Sequence, residues 1–133
     1  MKTRIGYLFT ALIALLAGGF AAGAWAQVAD SLSAVDRAAA FKASGALWRD
    51  GQWVACADDP HGGAAGIGEV RDLNGDGRPE AVVTGNGSFC YGHAGTGYSL
   101  LSRQADGRWK LIDANNGVPE FLKTRGKACR PDL

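Results

Sequence analysis

Residues 72–80 read DLNGDGRPE and run straight into Ala81-Val82-Val83. No other stretch constrains the fold as tightly. Three acids, an asparagine and two glycines fall within nine positions, a composition that belongs to a sharp reversal of the chain. Both flanks are strand-like. Residues 67–72 alternate, with Ile67 and Val70 as the apolar positions, and residues 80–85 are apolar and β-branched. The local architecture is therefore strand, acidic loop, strand.

The loop also has the spacing of an oxygen cage. With Asp72 as position 1, oxygen donors fall at Asp72, Asn74, Asp76, the main-chain carbonyl of Arg78, and Glu80. Gly77 stands at position 6, where a tight calcium loop needs backbone freedom. Alternate side chains converge when a chain wraps around an ion. An irregular, all-oxygen set suits a hard cation, calcium before magnesium, and the absence of Cys and His disfavours zinc or copper. A helix–loop–helix EF-hand is excluded, since the bidentate Glu of position 12 is replaced by Val83 and the flanks are strands. The plainer alternative is a metal-free loop in which Asp72, Asn74 and Asp76 only form Asx-turns. Mutual repulsion of the acids favours a counter-ion, so a structural Ca2+ is expected, with affinity of about 10⁻⁴–10⁻³ M.

The run VRDLNGDGRPEAVVTG followed by GTGYSLLSRQADGRWKLID resembles one unit of the integrin-type FG-GAP (VCBS) repeat. The resemblance covers residues 67–113 and implies calcium held by Asp72, Asn74, Asp76, the Arg78 carbonyl and Glu80, in a blade-like pair of strands. This sequence departs from the pattern at Glu80, where the family has Asp, and in carrying one unit, which cannot close a propeller. The chain is similar to small secreted bacterial proteins with a single such unit.

Elsewhere the pattern is one helix followed by hairpins. Ser33 is an N-cap with Asp36 three residues on, and an Ala-rich run leads to Lys42 before Ser44-Gly45 ends it. Val35, Ala38, Ala39 and the stem of Lys42 are expected on its packing face, with Phe41 close by. LWRDGQWVAC turns at Asp50-Gly51, and YSLLSRQADGRWKLID turns at Asp106-Gly107. Trp48 and Trp53 read as a cross-strand pair before they read as a ligand platform. Residues 58–66, 86–97 and 114–129 read as loops. The expected fold is α+β: one N-terminal helix packed on a small antiparallel sheet built of hairpins.

The ends and the cysteines place the chain in a compartment. Lys2 and Arg4, the apolar run Ile5 to Ala22, and Ala24-Trp25-Ala26 form a signal peptide over residues 1–26, with cleavage before Gln27. Residues 27–133 then form a single exported domain, periplasmic or extracellular, with no further membrane association and expected as a monomer. Its C-terminus, ending Pro131-Asp132-Leu133, is read as a possible truncation. Loss of Lys2 and Arg4 takes the formal charge from +1 to −1, which gives no footprint for nucleic acid or anionic membranes. Of Cys56, Cys90 and Cys129, a Cys56–Cys90 disulfide is expected; Cys129 is left free or for another chain.

Two functional classes follow. The first is a non-enzymatic binding or interaction module for a protein or glycan ligand, including a periplasmic inhibitor or partner protein. Trp48, Trp53, Tyr91 and Tyr98 would be its contacts if they form one exposed patch. The second is a small hydrolase-like enzyme using His61 and His93 with Asp58 and Asp59 as an acid/base set. No elbow motif surrounds Ser88 or Ser99, and the first class is preferred.

Overall fold

A computed structural model describes residues 32–126 and 129–133; the leader expected over residues 1–26 lies outside them. The first element is helix α1, Ala34–Ala43. Ser33 caps it as its position suggests: its Oγ accepts from the Asp36 amide at 3.1 Å and donates to the Asp36 carboxylate at 2.9 Å. The buried face is shifted from the expected one, with Ala39 still packed against the core. Val35 is 79% exposed, and Ala40 and Phe41 are the residues driven inward. The reason is tertiary, because the Phe41 ring stacks on Trp53 at 5.1 Å and so sets the rotation of the helix.

Strands β1 (Leu47–Arg49) and β2 (Gln52–Val54) form the first hairpin. Asp50 and Gly51 both have positive φ, 51° and 82°, which is the turn that matches the twist of the paired strands. Trp48 faces Trp53 across the ladder, ring edge to ring face at 5.4 Å. Strands β3 (Ala65–Arg71), β4 (Glu80–Asn86), β5 (Thr96–Arg103) and β6 (Trp109–Asn116) then form an antiparallel meander in chain order. A bridge between Val54 and Ala64 joins the hairpin to this sheet. The α+β class expected from the sequence is the one observed.

Strand β4 is the most buried of the sheet and divides the core. Ala81 and Val83 turn to the α1 side, with Val70, Leu101 and Trp109, whereas Val82 turns to the other side with Leu73 and Leu100. The second side is covered in part by the C-terminal segment, through Phe121. That segment folds back on itself by Leu122 N to Asp132 O (2.9 Å) and Gly126 N to Arg130 O (2.8 Å). The β5–β6 loop is longer than the two-residue turn read from Asp106-Gly107. Gly107 N donates to Gln104 O and Gln104 N to Arg108 O, so Ala105 joins the loop. Between β4 and β5 the expected loop contains a short helix, α2 (Ser88–Tyr91). Among the described residues no helix is long and apolar enough to cross a membrane.

Candidate metal centre

The acidic loop leaves β3 and enters β4, and it is organised around Asp72. Asp72 Oδ1 accepts from the amides of Gly75 (2.7 Å) and Asp76 (3.2 Å), and Oδ2 from Gly77 (2.8 Å). Gly75 and Gly77 have φ of 75° and 80°, a left-handed conformation that L side chains resist. Two such residues bend the chain tightly enough to aim its amides at one carboxylate. Asn74 Oδ1 accepts from Asp76 N at 3.0 Å, and Asn74 Nδ2 donates to Asp76 Oδ2 at 3.2 Å. The loop is thus a nest of Asx-turns, and Asp72, Asn74 and Asp76 come together within it.

Asp76 is held by Arg78 as well as by Asn74. The Arg78 amide donates to its Oδ1 (2.8 Å) and the Arg78 guanidinium to its Oδ2 (2.7 Å). The Arg78 N–H first, and then the Asn74 amide and the Arg78 charge, keep the Asp76 carboxyl below its ordinary range. Arg78 also reaches Arg103 O through Nε (3.3 Å), so its side chain ties the loop to β5.

Glu80 lies under the loop, 1% exposed. Its Oε2 accepts from Leu73 N (2.8 Å), and its Oε1 from Ser102 Oγ (2.7 Å), with Arg130 Nη2 at 3.5 Å. The longer arm of Glu therefore reaches back to the base of the loop. Ser102 and Arg130 had no signal in the sequence: one alternates in a strand, and the other sits in a tail without periodicity.

The donor set fits a hard cation in kind. Asp72 Oδ2, Asn74 Oδ1 and Asp76 Oδ1 each accept one hydrogen bond, and an sp² oxygen has two lone pairs. No three His, Cys, Asp or Glu side chains among the described residues gather to hold a metal. An ion here would rest on Asp72, Asp76, the Asn74 amide oxygen and main-chain oxygen such as that of Arg78. Glu80 would join it only by leaving part of its buried network.

Cys56 and Cys90 are bonded, with Cα atoms 6.2 Å apart, and the Cys129 thiol is exposed and outside any disulfide in the described structure. The bridge draws the 58–63 loop toward α2 and the turn Gly92–Ala94 that carries His93. His61 and His93 are exposed, and neither ring forms a hydrogen bond among the described residues. Asp59 is buried and shapes its own loop, accepting from His61 N (2.8 Å) and Gly63 N (3.0 Å). These two amides, His61 first, lower its carboxyl below the usual value. Asp58 is exposed.

The four aromatic residues do not make one patch. Trp48 is 60% exposed, Trp53 packs against the α1-side core, and Tyr98 belongs to the opposite side. The Tyr91 ring lies on Gly85 and Gly97, a cross-strand pair whose missing side chains make room for it. In comparisons with known proteins, no family model matches the sequence, and no curated protein or solved structure matches the chain.

Proposed function

We propose that the chain is an exported, non-enzymatic binding module whose 72–80 loop is tied by a structural calcium ion. The observation that carries this reading is the wrapping of alternate oxygens, Asp72, Asn74 and Asp76, around a turn with two left-handed glycines, each donor retaining a lone pair. The likeness of residues 67–113 to an FG-GAP unit adds support from the loop residues alone. Export is supported by the Cys56–Cys90 bridge, which suits an oxidising compartment, and by the leader-like sequence over residues 1–26. A calcium ion here would fix the end of β3 to the start of β4 and would leave the chemistry of binding to other surfaces. A hydrolase built on His61 and His93 has less support, because the Asp59 carboxylate is held by backbone amides and neither exposed histidine ring meets a carboxylate among the described residues.

Thermal unfolding in calcium and in chelator tests the reading. At tenfold excess over Kd, binding to the native state alone adds about 1.4 kcal/mol, or roughly 6–10 °C for a domain of this size. Asp76→Ala is expected to abolish the shift. An unchanged midpoint at millimolar calcium would reduce the loop to a turn.

A further inference from the structure

The side of the sheet opposite α1 is only half covered. The C-terminal segment lies against the β3 end, where Arg125 Nη1 donates to Leu73 O at 2.8 Å and Arg71 stands over the Phe121 ring at 5.4 Å. Over β5 and β6 it leaves a groove of about 820 Å³, floored by Tyr98, Leu100 and Ile112 and flanked by Lys110, Arg130 and Leu133. That volume is typical of sites for small organic ligands.

Strand register gives this groove a direction. Lys110 pairs with Ser102, and Arg130 Nη2 bonds Ser102 Oγ at 3.1 Å, so two cations meet at one end. Leu100 lies two residues along the same face of β5. Beside it the register slips between Leu100 and Leu101, whose partners are Asp113 and Leu111; Ile112 is the extra residue, and it lines the groove. At the far end Tyr98 Oη donates to Asp113 at 2.6 Å, which occupies that acid. Lys110 forms no ion pair among the described residues. Arg130 meets Glu80 only at 3.5 Å, and its Nε–H is sealed from solvent without an acceptor. A buried donor left unpartnered is uncommon and unfavourable, and a small roll of the guanidinium toward the groove would offer it to a ligand.

We propose that this groove binds an amphiphilic organic carboxylate, its head between Lys110 and Arg130 and an apolar body of a few carbons along Leu100 and Ile112. The guanidinium fork matches a carboxylate in geometry. A singly charged head is favoured over a phosphate dianion, because Glu80 already shares Arg130 and Asp132 lines the same groove, and both repel added charge. A free aliphatic acid and the C-terminus of a peptide share this chemistry. The inference rests on the binding-module reading but not on its cation.

Titration calorimetry with hexanoate, N-acetyl-leucine, acetate and hexylamine tests it, run both in calcium and in chelator. Saturable binding of hexanoate or N-acetyl-leucine is expected, at least tenfold tighter than acetate or hexylamine, and the tighter of the two identifies the source. Lys110→Glu, at an exposed position, is expected to weaken that binding at least tenfold while leaving the unfolding midpoint in place. Ile112→Ser should weaken hexanoate and leave acetate unchanged. Absence of binding in both media, equal binding of acetate or hexylamine, or an unaffected Lys110→Glu would overturn the proposal. A failed calcium cage would show instead as an unmoved unfolding midpoint, with groove binding intact.

Discussion

Glu80 is a charge where a charge is hardest to hold, at the first position of the most buried strand. It is tolerated because every side of its carboxylate is answered: the Leu73 amide, the Ser102 hydroxyl and the Arg130 guanidinium surround it. A buried ion pair need not add net stability, but removing one member strands the other. Glu80→Gln keeps the size and deletes the charge, leaving Arg130 poorly compensated. Because Arg130 retains some solvent contact, the expected loss is about 2–3 kcal/mol, below the range for a fully buried pair. Urea unfolding at neutral pH measures it. A change within about 0.5 kcal/mol, the usual range for surface substitutions, would mean that the hydroxyl and amide contacts alone hold this end of β4. The same residue occupies the ninth place of the acidic loop, which makes it the hinge between the candidate metal centre and the C-terminal segment.

Elements whose cause is local were legible in the sequence. The capping of α1 by Ser33, the Asp50-Gly51 hairpin and the strands flanking the acidic loop follow from residues a few positions apart. Of the elements whose cause is distant, the Cys56–Cys90 bond was expected and is present, but the others were not legible. Nothing local marks α2; its place is set by the Cys56–Cys90 bond and by Tyr91 lying on the paired Gly85 and Gly97. Nor does periodicity reveal that residues 121–126 and 129–133 dock on the sheet, since Arg125 finds Leu73 O and Arg130 finds Ser102 across long stretches of chain. The acidic loop was legible as a turn of alternating oxygens, but the inward course of Glu80 required knowledge of its buried partners. The disulfide is the firmest of these distant links. It spans 34 residues, and a loop of that length implies about 3–4 kcal/mol from restriction of the unfolded chain. The double variant Cys56→Ser/Cys90→Ser is expected to lose that amount in denaturant unfolding, whereas reduction should leave Cys129→Ser and the parent protein equally destabilised. A loss below about 1 kcal/mol would show that the β2–α2 connection is held mainly by the Tyr91 contacts, outside the usual 2–4 kcal/mol of a native bridge.

The charge of the whole molecule is close to balance, formally +1 over the full sequence, so its response to pH is governed by particular groups more than by overall repulsion. On the acid side Asp59, Asp76 and Asp106 lie below their ordinary value of 3.8, held there first by the amides of His61, Arg78 and Arg108 respectively. A lowered native pKa stabilises above the unfolded value and is lost as pH falls through the native one. Stability should therefore decline below 3.8, tempered by the solvent exposure of Asp76 and Asp106. On the alkaline side the sign reverses. Its hydrogen bond to Asp113, with burial and the charge of Asp113 as lesser causes, pushes the Tyr98 hydroxyl from 10.0 up to about 12. A raised native pKa gives stability that is complete below the unfolded value and lost as pH rises through the native one. The loss should therefore fall between 10.0 and about 12. Other groups titrate in that window, so the informative quantity is the difference between the parent protein and Tyr98→Phe, which lacks the hydroxyl. Urea unfolding of both across the window should give a difference that is constant below 10.0 and shrinks toward about 12. A difference that stays flat through the window would mean that the Tyr98–Asp113 bond does not persist in solution, and with it the ordered far end of the β5–β6 groove.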